Sequence, residues 1–170
     1  MERSTTPSST PSNGAAPGSA DPASIPFELS EADLDVQARA RAFTEQVLMP
    51  LEEEAERRSG RLPDDVVADV KREALARRLT GGLHSREHGG QGWTRLQWAL
   101  VEEQYGRTTN AIHWHIPNGY NVWEHAGPEH TERWLVPLLE GKIRDAYAVT
   151  ERDAGSDPSR IALGLSLIHI

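Results

Sequence analysis

The chain has 170 residues, with 26 acidic and 18 basic side chains, a formal net charge of −8 and a pI near 5.3. That balance excludes a nucleic-acid surface of the usual kind, which needs a basic patch. The absence of Cys removes disulfide frameworks, thiolate metal sites and thiol nucleophiles. A cytoplasmic address is the easier reading of a chain without Cys. The longest apolar stretch, Ile161 to Ile170, is too short for a membrane span of roughly 17 to 25 residues. The N-terminus has no apolar core of a secretory signal.

Residues 1–26 hold 16 Ser, Thr, Pro or Gly. Such a segment has too little to bury against its ordering entropy and is expected to be disordered. A first helix is expected from Ser30 to Arg58, with Ser30 as N-cap and Asp33 at the third helical position. Val36, Ala40, Phe43, Val47 and Leu51 fall on one face of it. Pro50 lies inside and should bend or split the helix. Glu52-Glu53-Glu54 reads as a solvated face. A second helix is expected from Pro63, as its first residue, to Gly81-Gly82, with Asp64 and Asp65 in its first turn and Arg77 and Arg78 in its last.

A third helix has the clearest signposts. Thr94 and Gln97 form a capping box, Trp93 and Trp98 a hydrophobic staple, and Gly106 an end. From Asn110 to Gly127 the sequence permits a helix broken near Pro117. Pro128 to Leu139 reads as a further helix limited by Pro137, with Gly141 beyond its end. Asp145 to Thr150 is rich in β-formers and reads as a strand, followed by a turn over Asp153 to Pro158.

Two motifs have competing readings. His113-x-His115 could ligate a metal on a strand, where alternate residues share a face, but not on a helix. No metal-ligand spacing supports it, so no metal is expected. Gly89-Gly90-Gln91-Gly92 could cradle a phosphate with backbone N–H groups or form a tight turn. It lacks the spacing of either common phosphate loop. The Trp residues read as core and staple residues.

Tyr147-Ala148-Val149-Thr150-Glu151-Arg152-Asp153-Ala154-Gly155-Ser156-Asp157 closely resembles the signature (Y/F)-x-V-T-E-P-x-A-G-S-D of the acyl-CoA dehydrogenase family. Other segments agree in order. Leu62-Pro63 resembles the entry to the family's second helix, and Glu87-His88-Gly89-Gly90-Gln91-Gly92 its E-x-G-G-x-G turn. Val101-Glu102-Glu103 resembles its acidic helix. Gly127-Pro128-Glu129 through Trp134-Leu135-Val136-Pro137-Leu138-Leu139-Glu140-Gly141 resembles the element before the signature. The likeness covers roughly Phe27 to Arg160 and favours a structural turn for the Gly cluster.

The resemblance implies a mainly α fold. It places a helical domain over 27–143, the start of a middle β domain with a flavin loop over 144–160, and an unalignable terminus over 161–170. It implies FAD as cofactor, an acyl-CoA thioester as substrate, and α,β-dehydrogenation to the 2,3-enoyl-CoA, a step of fatty acid metabolism. An electron-transfer acceptor and a homo-oligomeric parent follow from the same likeness. Tyr147, Val149, Thr150, Gly155 and Ser156 fall on the flavin-contacting positions, and Ser156 lies near the thioester as well. The family's catalytic Glu belongs to a later segment, so no catalytic residue is assigned here. The chain is expected to be truncated and inactive alone. Arg152 stands where the family has Pro. A free helical interaction module, or a related flavoenzyme with another substrate, is the alternative function.

Overall fold

The computed structural model describes residues 28–146 and 149–162. The expected tail, the pair Tyr147 and Ala148, and residues 163–170 of the expected unalignable terminus lie outside the described residues. The described part is mainly helical, as expected. Among these residues no helix is long and apolar enough to cross a membrane.

Helix α1 spans Glu31–Phe43. Asp33 N–H donates to the Ser30 hydroxyl at 3.2 Å, and Ser30 N–H donates to Asp33 Oδ2 at 3.0 Å. Two orphan donors of the first turn are thereby satisfied reciprocally. The Ser30 hydroxyl, and then its N–H, hold the Asp33 carboxyl below its usual range. Val36, Ala40 and Phe43 form the buried face, and Val47 and Leu51 continue the stripe half-buried.

The expected single helix to Arg58 does not form. Thr44–Leu48 winds as a wide π turn, Met49–Leu51 as a 3₁₀ turn, and α2 covers only Glu52–Arg57. The cause is Pro50, which has no N–H and whose ring would clash with the carbonyl four residues back. The wide turn moves that carbonyl aside, and Met49 N–H reaches back to Thr44 instead. The same solution recurs before Pro137. Pro128–His130 begins a helical run behind Gly127, Thr131–Leu135 winds wide with Val136 N–H reaching Thr131, and Val136–Leu139 completes it. Both wide turns close two residues before a proline, so these prolines reshape their helices rather than end them.

Helix α3 covers Asp64–Ala76, with Pro63 as its N-cap and not its first helical residue. It ends before the expected Gly81-Gly82. Leu79 N–H donates to Ala74 O and Arg78 N–H to Leu75 O, with Arg78 left-handed at φ 54°. This is the Schellman stop, with Arg where Gly is usual. Arg39 of α1 supports it from outside by donating to the carbonyls of Arg77 and Arg78 at 3.0 and 3.2 Å.

Helix α4, Arg95–Tyr105, bears out its signposts. Thr94 and Gln97 exchange bonds of 3.1 Å in both directions, and the Trp93 and Trp98 rings lie 6.2 Å apart. Helices α1 and α4 form the centre of the core, where Phe43 meets Tyr105 edge to face at 6.3 Å. Glu52 is not simply solvated. It accepts from Thr109 N–H at 2.8 Å and from its hydroxyl at 2.9 Å, tying α2 to the loop after α4.

Beyond that loop the chain forms 3₁₀ turns at Ile112–His115 and Asn121–His125, separated near Pro117 as expected. The Gly cluster is a turn. Gln91, Trp93 and Gly92 donate to Gly81, Gly82 and His84 respectively, and Gly89 is left-handed at φ 90°. The expected strand from Asp145 is not formed by its described residues, which find no partner strand. The only β pairing among the described residues is the bridge between Glu151 and Ala154.

Candidate functional site

A cleft of about 680 Å³ opens between α4, the 112–121 segment and residues 141–145. Its α4 wall presents Trp98, Glu102 and Tyr105, which share one face by their spacing of four and three. His113 lies across from them and stacks on Tyr105, with ring centroids 6.3 Å apart and planes at 19°. Trp114, at the same cleft, is 74% exposed.

Burial sets the electrostatics. It raises the Glu102 carboxyl above its usual range. It raises the Tyr105 hydroxyl strongly, with a further push from the Glu102 charge. That hydroxyl donates to the Leu79 carbonyl at 3.3 Å. Burial also lowers His113, whose Nδ1 is sealed from solvent with no hydrogen-bond partner. His115 is lowered by burial first, then by the Arg144 and Lys71 charges. Both rings are therefore held neutral more firmly than a free imidazole.

Residues 141–145 are strapped across the cleft. Lys71 Nζ donates to Gly141 O at 3.1 Å, and the Arg144 guanidinium meets His115 Nδ1 at 2.8 Å. Asp145 accepts from Tyr120 N–H at 3.3 Å and Trp123 Nε1 at 3.1 Å. His84, 3% exposed, holds the opposite rim through Nε2 to Gly119 O at 2.9 Å. The strap leads directly into the signature segment.

The described residues of that segment, from Val149 onward, do not line the cleft. Val149 is half-buried, while Thr150, Gly155 and Ser156 are exposed, and Tyr147 lies outside the described residues. Glu151 to Ala154 close a β-turn through bonds of 3.0 and 3.3 Å between the two ends. A Cβ at Gly155 would meet nothing within 4 Å, so no part of the described chain approaches it closely. The Arg152 side chain, at the turn position where Pro is favoured, makes no ion pair with Glu151 or Asp153 among the described residues. Glu151 instead accepts from Ala162 N–H at 3.0 Å.

Sequence reasoning misses the Glu102, Tyr105 and His113 cluster. A signal is present as one polar-aromatic face, Trp98, Glu102 and Tyr105, on the most strongly marked helix. The sequence weighs His113 and His115 only as metal ligands, a reading it does not favour, and the fold gives them other contacts.

Residues 30–142 match the family model "Acyl-CoA dehydrogenase, N-terminal domain". The chain is 32% identical over 152 residues to "Acyl-CoA dehydrogenase family member 10" of Mus musculus, covering 80% of this chain and 14% of that protein. It is 26% identical to a "3-(aryl)acrylate reductase" of Clostridium sporogenes over 132 residues, covering 75% of this chain and 34% of the relative. It is 28% identical to "Acyl-CoA dehydrogenase, short-chain specific" of Clostridium acetobutylicum over 137 residues, covering 77% and 35%. The chain thus spans about a third or less of the length of these relatives. A solved structure from work on the electron transferring flavoprotein of Acidaminococcus fermentans superposes with a TM-score of 0.61 at 22% identity. The match covers 80% of this chain and 36% of that one, a likeness of fold.

Proposed function

This chain belongs to the acyl-CoA dehydrogenase family by its N-terminal domain, and from that premise we propose that it contributes the acyl-holding wall and one flavin-contacting loop of an FAD-dependent α,β-dehydrogenation of an acyl-CoA. The observation that carries this reading is the adjacency of cleft and signature: the strap at residues 141–145, bonded across the cleft, immediately precedes the signature in sequence.

The donor set fits a flavin edge. The Thr150 and Ser156 hydroxyls are exposed and have no hydrogen-bond partner among the described residues, and Gly155 leaves room for another molecule to approach. A bound FAD supplies the hydride acceptor that turns the thioester into the 2,3-enoyl-CoA. Thr150 and the neighbouring backbone N–H groups would hold the ring edge as fixed dipoles suited to negative charge there. Val149 would pack beside that edge, and Ser156 would serve the cofactor and thioester side. Tyr147 completes the carried-over set. The base belongs to another segment of the family's sequence. The helical division at 27–143, the β start at 144–160, an electron-transfer acceptor and a homo-oligomeric assembly belong to the same proposal.

Trp98 and Trp114 flank the cleft, so their fluorescence reports on its occupancy. Titration of the chain with acyl-CoAs of rising length is expected to quench saturably. Affinity should gain about fourfold per methylene, from roughly 0.8 kcal/mol per buried CH₂. Free CoA should give no comparable signal. Equal responses to CoA and acyl-CoA would overturn the acyl reading of the cleft.

Thr150→Val tests the flavin assignment in a protein carrying this chain together with the family's other domains. The substitution keeps shape and β-branching and removes the hydroxyl. Flavin reduction should slow by an amount equivalent to about 1.5–3 kcal/mol, the range for a hydrogen bond to a charged group. Acyl-CoA affinity should change little. Unchanged bleaching with weaker substrate binding would move Thr150 to the substrate side.

A further inference from the structure

Glu102, Tyr105 and His113 form a polar island in an aromatic-walled cleft, and its hydrogen-bonding capacity is not used up internally. Tyr105 commits its proton to the Leu79 carbonyl. The Glu102 carboxylate is half-buried and makes no hydrogen bond or ion pair among the described residues. His113 lines the same cleft while its Nδ1 is sealed without a partner. Nε2 is not sealed in this way and makes no hydrogen bond among the described residues, so it is the ring nitrogen left for a ligand. A plain hydrocarbon chain laid against these groups would strip their water and return nothing, which is costly for a carboxylate and an imidazole alike.

We infer that the cleft selects an acyl group bearing a hydroxyl over the unsubstituted acyl group of the same length, the hydroxyl proton going to Glu102 and its oxygen accepting from His113 Nε2–H. This rests on the acyl reading of the cleft and names the substrate class within it. A hydroxyl is the smallest group that answers both partners at once, because it donates one bond and accepts others. Its carbon skeleton still lies against Trp98, Trp114 and the Leu79 and Leu138 side chains of the cleft. Burial holds the imidazole neutral, so His113 acts as a hydrogen-bond partner and not as a cation that would capture Glu102 for itself.

The test uses the full 170-residue chain and the tryptophan signal. The probes are hexanoyl-CoA, a set of hydroxyhexanoyl-CoAs differing in hydroxyl position, and free CoA. At least one hydroxylated analogue should bind about tenfold more tightly than hexanoyl-CoA, the equivalent of one to two net hydrogen bonds. His113→Phe keeps a ring to stack on Tyr105, and Glu102→Leu replaces an unmet carboxylate by apolar volume. Either variant should bring the preference ratio close to one. Should His113→Phe fail to fold, Glu102→Leu carries the test alone. Acyl-CoAs that all outbind CoA, with no gain from the hydroxyl, would overturn this inference and leave the acyl cleft standing. A hydroxyl preference that survives both substitutions would also overturn it. No acyl-CoA binding above that of CoA would remove the acyl reading itself, and this inference with it.

Discussion

Phe43→Ala is expected to destabilise the fold by about 3–5 kcal/mol, the usual loss on emptying a buried aromatic site. Phe43 is fully buried at the end of α1, where two separate parts of the chain meet its ring. Tyr105 of α4 contacts it edge to face at 6.3 Å, and the Arg77 guanidinium lies over it at 5.7 Å. The wide turn starting at Thr44 then leads the chain away. The surroundings cannot collapse freely into the space, because Tyr105 is pinned by its bond to Leu79 and Arg77 by its bond to Gln46 and its pair with Glu73. Domains of this size hold only about 5–15 kcal/mol in total, so the variant should be close to unfolded at physiological temperature. Phe43→Leu keeps most of the volume and should cost clearly less. Urea unfolding followed by tryptophan fluorescence measures both. A loss below about 1.5 kcal/mol for Phe43→Ala would mean that α1 and α4 do not depend on this contact in the way their packing implies.

The elements legible in the sequence are those specified by local chemistry. Ser30 with Asp33, and Thr94 with Gln97, name their helix starts because capping uses side chains a few residues apart. The Trp93 and Trp98 staple is readable for the same reason. The end of α3 is not. Its stop uses Arg78 in a left-handed conformation and is braced by Arg39, 39 positions earlier in sequence. No window around Gly81 contains that information. Pro50 and Pro137 are legible as interruptions, but the wide turn that absorbs each depends on the packing of Thr44 and Leu48, or of Thr131 and Leu135, into the interior.

The candidate site divides along the same line. Val149 to Ser156 can be singled out because their order resembles a family signature, and order is a local property. The cleft cannot, because it is assembled from α4, the 112–121 segment and the strap, which meet only in three dimensions. His113 illustrates the difference. With His115 it could share a metal only on a strand. The fold instead turns His113 onto Tyr105 and gives His115 to Arg144. A 3₁₀ turn at Ile112–His115 is what separates them, and β periodicity, which the metal reading needs, never arises there.

Gly90→Ala should be nearly as damaging as the loss of Phe43, and for a different reason. The turn after α3 brings residues 90–93 back against 81–84, with Gln91 N–H to Gly81 O at 3.1 Å, Gly92 N–H to His84 O at 2.9 Å and Trp93 N–H to Gly82 O at 2.8 Å. A Cβ at Gly90 would drive into the His84 carbonyl and backbone carbon. Backbone cannot rotate away as a side chain can, so the two segments would have to part. His84 would be displaced with them, and its Nε2 holds Gly119 at the cleft rim. The cost should reach about 3 kcal/mol, above the usual range for surface changes and within that of forced overpacking. Gly89→Ala is the control. Gly89 has φ 90°, but a Cβ there would meet nothing within 4 Å, so the substitution should lose only the roughly 1–2 kcal/mol typical of a left-handed non-glycine backbone. If the Gly cluster served mainly to cradle a phosphate, Gly90→Ala would cost no more than Gly89→Ala and both would impair anion binding instead. If it is the close-packed turn described above, thermal melts will rank Gly90→Ala well below Gly89→Ala. The tryptophan response of the cleft to acyl-CoA will then weaken in the Gly90 variant alone, because only that substitution reaches His84.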